Sequence, residues 1–170
     1  DSGKIPEDLE YSKKVAKAFG FNLKVIEVTL DEIEKALPLV CKLIESNNVT
    51  KVAVALPFYF ASKKASEDKV KVILSGLGAD DLFAGYQRHL KTEDVNKECY
   101  HSLLNLYERD LYRDDIITMY NKIELRVPYL DKTLVSFALG IPGNYKINER
   151  GNKLILRDLE TIEKRLGKAE

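Results

Sequence analysis

The 170-residue chain carries 27 basic and 27 acidic residues for a net charge of zero, with 45% apolar and 32% charged side chains. At that size folding buries about 70% of the unfolded surface, so a core needs no staple, and the composition lies far from that of disordered chains. Neutrality removes a general pull toward nucleic acid or anionic membrane, and two cysteines without a C-x-x-C or Cys/His cluster argue against zinc and for a reducing compartment.

Pro6 opens a helical pattern in which Leu9, Val15, Ala16 and Phe19 share a face and Gly20 supplies the stop, predicting a helix from about Glu7 to Phe19. Leu23 to Val28 is short, rich in β-branched residues and bounded by turn signals, the pattern of a strand. Asp31 is a candidate N-cap for a second helix with apolar residues at Ile33, Leu37, Val40, Cys41 and Ile44, which Pro38 should kink or split. Val49 to Glu67 has the spacing of a buried helix, interrupted by Pro57. The apolar run from Val52 to Ala61 is about half what a membrane span needs. No signal-peptide pattern is seen, so a cytoplasmic protein is expected.

Val70 to Leu74 then reads as a strand covered on both faces in a parallel sheet, and the alternation of helices and strands predicts an α/β half over residues 1–91. From Thr92 onward long helical patterns without a convincing strand predict a helical lobe over residues 92–170. Cys41 and Cys99 read as small core hydrophobes and His101 as a surface residue; for Arg88 and His89 a solvated helix face is the default.

Between the two parts lies S-G-L-G-A-D-D-L-F-A-G-Y, Ser75 to Tyr86. A loop after a parallel strand lies at the edge of the sheet where ligands bind. Gly76 and Gly78 can admit an anion close to backbone N–H groups, and a helix starting near Asp80 would add roughly half a positive charge. Asp80 and Asp81 together would favour a divalent cation such as magnesium. The alternative, two capping aspartates in a packing turn, stays open on these residues alone. Asp81 excludes the dinucleotide fingerprint, and no G-x-x-x-x-G-K-[ST] occurs.

The same stretch resembles the S-G-E-G-A-D-E-L-F-G-G-Y loop of the asparagine synthetase family. R-D-D-I-I-T-M-Y-N-K-I-E-L-R-V-P-Y-L-D, Arg113 to Asp131, is similar to the family's second block, and Ile141-Pro142, Lys146 and G-N-K-L-I-L-R to its closing one. P-E-D-L-E-Y-S-K-K-V-A-K-A-F-G is like a family helix, so the resemblance covers nearly the whole chain. It implies the parallel α/β sheet of the ATP-pyrophosphatase type with a helical C-terminal lobe.

The resemblance also implies ATP-dependent, AMP-forming amide synthesis, in which a carboxylate such as aspartate is adenylated and ammonia displaces AMP. Ser75, Gly76, Leu77, Gly78 and Asp81 would line the nucleotide. Asp80, with Asp81 as second carboxylate, would hold Mg2+ on the pyrophosphate. Lys153 would neutralise charge on the transferring group. Glu124, Arg126 and Asp131 would serve architecture first, as a Glu-Arg pair fixing the helical lobe against the sheet.

Two departures stand out. The family's S-G-G-x-D-S pyrophosphate loop has no counterpart here, so a partner chain carrying that loop or a glutaminase is expected, and this chain alone is expected to be inactive. Leu77 replaces a glutamate that handles protons as ammonia attacks, a role worth roughly 10² to 10⁴ in rate. An apolar residue here, followed by G-Y-x-R-H like Gly85 to His89, is closest to the asparagine synthetase domain-containing relatives. That leaves open a relative that binds nucleotide or serves a structural purpose without amide synthesis. Nucleic-acid and membrane partners are not expected, and homo-oligomerisation is left open.

Overall fold

The computed structural model describes residues 6–159. Helix α1 (Glu7–Phe19) starts behind Pro6 and ends where Gly20 turns left-handed at φ 67°, as the sequence predicts. It is followed by an irregular segment over 21–29 that pairs with no strand among the described residues. The strand expected at Leu23 to Val28 is therefore absent. The run has the right side chains, but a strand requires a neighbour to take its N–H and C=O groups.

Helix α2 (Leu30–Leu43) is capped by Thr29 rather than Asp31: the Thr29 hydroxyl accepts from the Glu32 N–H, and the Glu32 carboxylate accepts from the Thr29 N–H in return. Pro38 sits inside α2 and Pro57 inside α3 (Val49–Glu67), and neither splits its helix. Both prolines are exposed, so water can reach the carbonyls of Glu34 and Ala53 that lose their usual donors. Val40, Ile44, Val52 and Ala55 pack with Ile117 of α6 (Tyr112–Tyr120) in the largest core cluster.

Strand β1 (Val72–Leu74) pairs in parallel with β2 (Glu124–Arg126), in the register Val72 to Glu124, Ile73 to Leu125 and Leu74 to Arg126. The expectation of a strand-free C-terminal part is thus corrected. Glu-Leu-Arg is too short and too charged to show as a strand, yet it supplies the partner of β1. The ladder continues one bond further, from the Ser75 N–H to the Arg126 carbonyl at 2.9 Å. Sheet pairing crosses the division expected near residue 91. The Glu124–Arg126 ion pair, 2.7 Å, lies within one strand with both side chains mostly exposed, so the fixing of the C-terminal part falls to β2 itself.

After the loop come α4 (Ala79–Leu82), a 3₁₀ turn over Gln87–Lys91, α5 (Val95–Leu104), a π-helical turn over Tyr107–Leu111, α6, a 3₁₀ turn at Pro128–Leu130, α7 (Lys132–Gly140) and α8 (Gly143–Lys146). Asp131 caps α7 by accepting from the Thr133 and Leu134 N–H groups. Leu82 and Phe83 pack against Ala138 and Ile141, which seats the loop's exit on α7. Cys99 is buried with Ala84 and Ile147, Cys41 is half-buried, and His101 is exposed.

The N-terminal half leaves much apolar surface uncovered. α1 buries none of its residues, and Phe19, Phe21, Leu23, Val25, Ile26 and Leu74 are exposed, Leu74 at 73%. A hollow of about 300 Å³ lined by Ile26, Val28, Ile33, Leu56, Pro57 and Phe60 lies along the unpaired segment. No helix among the described residues is long and apolar enough to cross a membrane.

Candidate nucleotide and cation site

The loop between β1 and α4 is built by its own polar groups. The Ser75 hydroxyl accepts from the Leu77 N–H at 3.2 Å, and the Gly76 carbonyl accepts from the Ala79 N–H at 3.2 Å. Space beside Gly76 is open, with nothing within 4 Å of where a Cβ would stand. Gly78 differs: at φ 94° it is left-handed, and a Cβ there would come within 2.6 Å of Leu130, so it closes the loop against the Pro128–Leu130 turn. α4 has only four residues, too short to supply the helix-end charge that the sequence suggests.

Asp80 and Asp81 enter different surroundings. Asp80 is partly exposed and its Oδ1 lies 2.9 Å from the Lys153 Nζ, a pair formed across more than seventy residues of sequence. Its carboxylate fills the space that a side chain at position 85 would take: a Cβ on Gly85 would stand 1.7 Å from Oδ1. Asp81 is fully buried. Its Oδ1 accepts from the Arg109 guanidinium at 2.6 Å, and its Oδ2 has no partner among the described residues.

Around Asp81 lies a charged and aromatic layer that was not legible in the sequence. The π-helical turn presents Arg109 and Asp110 together, and Arg109 also donates to Asp110 at 2.6 Å. Burial works against the charge on Arg109, but Asp110 and Asp81 hold it firmly protonated. Arg88 stacks on the Tyr86 ring at 4.1 Å and pairs with Glu98 at 2.9 Å. Burial, reinforced by Asp81, pushes the Tyr86 hydroxyl up to about 12.

His89 is not on a solvated face as expected. It is buried, its Nδ1 accepts from the Tyr86 N–H, and burial followed by the neighbouring Arg88 lowers its pKa. The Arg113–Asp114 pair behind this layer, 2.7 Å apart, is buried as well. Lys146 is fully buried without a partner for its Nζ among the described residues, and burial lowers its pKa.

Asn152 was also missed. Its Nδ2 donates to the Gly85 carbonyl at 2.7 Å, and its Oδ1 accepts from Arg157 at 3.0 Å. The sequence held one signal for it, its place beside Lys153 in the closing motif. Arg109 carried a fainter one, the repeated Arg-Asp pairs of R-D-L-Y-R-D-D.

The structure thus brings Ser75, Gly76, Leu77, Gly78, Asp80, Asp81 and Lys153 to one end of the β1–β2 pair. No group of three or more His, Cys, Asp or Glu side chains able to hold a metal occurs among the described residues. Magnesium needs less protein than that, one or two carboxylates with phosphate oxygens and water completing its shell. Asp80, partly exposed and beside a cation able to face phosphate, has that chemistry; Asp81 is sealed from it.

Comparison with known proteins agrees with this architecture. The family model described as asparagine synthase matches residues 4–94 and 90–161. A protein of Methanocaldococcus jannaschii named as a glutamine-hydrolysing asparagine synthetase is 42% identical over 86% of this chain and 28% of its own length. A Schizosaccharomyces pombe protein named as a glutamine-hydrolysing asparagine synthetase is 37% identical over 76% of this chain and 24% of its own. An asparagine synthetase domain-containing protein of Saccharomyces cerevisiae is 31% identical over 80% and 29%. The chain therefore spans under a third of the length of these relatives. With matches over most of its residues and the motif-bearing loop, strand pair and closing turn gathered in space, the chain belongs to the asparagine synthase family.

Proposed function

We propose that this chain forms the C-terminal part of the synthetase site of an enzyme that makes amides from a carboxylate, ATP and an ammonia donor, through an acyl-adenylate. The observation that carries the proposal is the 2.9 Å pairing of Lys153 with Asp80 beside the open face of Gly76. It sets a mobile cation and a partly exposed carboxylate where a triphosphate could lie. Asp80 is the group assigned to a divalent cation, which when bound would draw charge off the departing pyrophosphate.

Lys153 serves as the second positive charge and can swing from Asp80 to phosphate oxygens on its flexible stem. Ser75 to Gly78 form the floor for the adenylate, Gly76 permitting close approach. Asp81 braces the floor through Arg109 rather than meeting the cation. The uncovered apolar side of α1, residues 21–28 and the free edge of β1 would dock the half that carries the pyrophosphate loop, so the isolated chain should not turn over.

The reading is tested by pyrophosphate exchange into ATP, with the chain joined to a half carrying S-G-G-x-D-S and a panel of acids that includes aspartate. Exchange dependent on an acid supports it, and no exchange with any acid sinks it. A second reading, a nucleotide-binding relative without amide synthesis, is favoured by Leu77, whose side chain cannot move a proton. It predicts that nucleotide binds while no acid supports exchange.

A further inference from the structure

The pairing of Lys153 with Asp80 is part of a closed ring. The Gly85 N–H donates to the Asp80 carbonyl at 2.8 Å, and the Gly85 carbonyl accepts from Asn152 at 2.7 Å. Lys153, the next residue, returns to the Asp80 carboxylate at 2.9 Å. Arg157, one helical turn on, holds the other end of the Asn152 amide.

A narrow turn closed by paired backbone bonds between Asn148 and Gly151 immediately precedes Asn152 and Lys153. Lys153 itself sits at φ 50°, a conformation that an ordinary side chain keeps only when its surroundings impose it. Both polar ends of Asn152 are engaged, one on the loop and one on the following helix, so its carboxamide sets where the strained Lys153 begins its reach.

We propose that Asn152 is a positioning residue, which clamps the Lys153 turn onto Gly85 and thereby keeps the lysine ammonium on Asp80 as a placeholder for a divalent cation. The inference rests on the reading that Asp80 holds such a cation. A cation that arrives with phosphate then takes over the Asp80 oxygen while the lysine transfers to the phosphate. The exchange leaves each charge compensated at every stage, so neither Asp80 nor Lys153 is stranded. Without the clamp Lys153 wanders, and Asp80 is freed for the bare metal ahead of nucleotide.

The test uses Mn2+ alone and the full 170-residue chain, following paramagnetic broadening of the Asp80, Gly85 and Lys153 backbone amides in NMR spectra. Asn152→Ala should lower the Mn2+ concentration for half-broadening about two- to tenfold, the range set by one hydrogen bond. Lys153→Met should lower it at least as far, and Asp80→Ala should abolish the broadening. Asn152→Ser, too short to reach the Gly85 carbonyl, replaces the alanine variant if that one fails to fold, with the same expected shift. A wild-type midpoint in the Asn152 variant, with Lys153→Met shifted, overturns the positioning role alone. Undiminished broadening in Asp80→Ala overturns the assignment of the cation to Asp80, and the clamp with it.

Discussion

Gly85→Ala isolates the packing of the loop from its chemistry. The φ of Gly85 lies outside the left-handed region, so the added methyl group acts through contact rather than backbone strain. That methyl carbon would stand 1.7 Å from Asp80 Oδ1, 2.6 Å from Cγ and 2.8 Å from Cβ. A rotamer change relieves the first two contacts but not the third, so backbone must move and the 2.8 Å bond from Gly85 to the Asp80 carbonyl is put at risk. Overpacking of this kind costs about 1 to 3 kcal/mol. For a chain of this size that lowers the melting temperature by roughly 2 to 12 °C. Thermal unfolding followed by circular dichroism measures it. A variant that melts within about 1 °C of the parent chain would refute the reasoning, because the Asp80 side chain would then not occupy the glycine's open side.

Further outcomes follow from neighbouring groups. Arg109→Met leaves the fully buried Asp81 without its 2.6 Å partner, with Arg88 no nearer than 4.0 Å. Breaking a buried pair costs about 3 to 5 kcal/mol, and since Arg109 is about one-third exposed, about 2 to 3 kcal/mol is expected by denaturant titration. A loss below about 0.5 kcal/mol would show that Asp81 has other compensation.

Burial pushes Asp114 up to about 6, ahead of the opposing pull of Arg113, whereas unfolded it titrates near 3.9. The fold therefore holds this proton more tightly. The resulting stability is fully present below about pH 3.9 and is lost as the pH rises through about 6, an effect on the order of 3 kcal/mol. Asp114→Asn should flatten that slope in urea titrations across the range, and an unchanged slope would contradict it. Leu77→Glu, in the chain joined to a half carrying S-G-G-x-D-S, should raise the amide-forming step by about 10² to 10⁴ and leave pyrophosphate exchange unchanged. Equal changes in both would place residue 77 in the first half-reaction instead.

Local signals were legible wherever the chain satisfies its own backbone. Pro6 and Gly20 bounded α1 because start and stop chemistry sit within one turn of the helix. The extent of α3 was readable from its periodicity, while Pro57 misled only because its exposure could not be known beforehand. What failed depended on distant partners. Leu23 to Val28 has the side chains of a strand and, among the described residues, no neighbouring strand to pair with. Glu124 to Arg126 has a poor strand pattern and a good neighbour in β1.

The same division runs through the site. Ser75 to Asp81 and Lys153 were readable as motif residues, and the fold sets the Lys153 ammonium 2.9 Å from Asp80. Whether a carboxylate is sealed or open is a property of packing, so Asp81 and Asp80 looked alike in sequence and differ in the fold. Arg109 and Asn152 act at Asp81 and Gly85 from 28 and 67 residues away, separations that no local pattern encodes.

The central claim is that this loop and Lys153 belong to a site where a carboxylate is activated by ATP. Acid-dependent exchange of labelled pyrophosphate into ATP, measured on the chain joined to a half carrying S-G-G-x-D-S, tests it most directly. The account predicts exchange that falls at least about 100-fold in both Asp80→Ala and Lys153→Ala, as loss of a charge-stabilising group at a reacting centre would give. Exchange that survives both substitutions, or that no acid elicits, would contradict it.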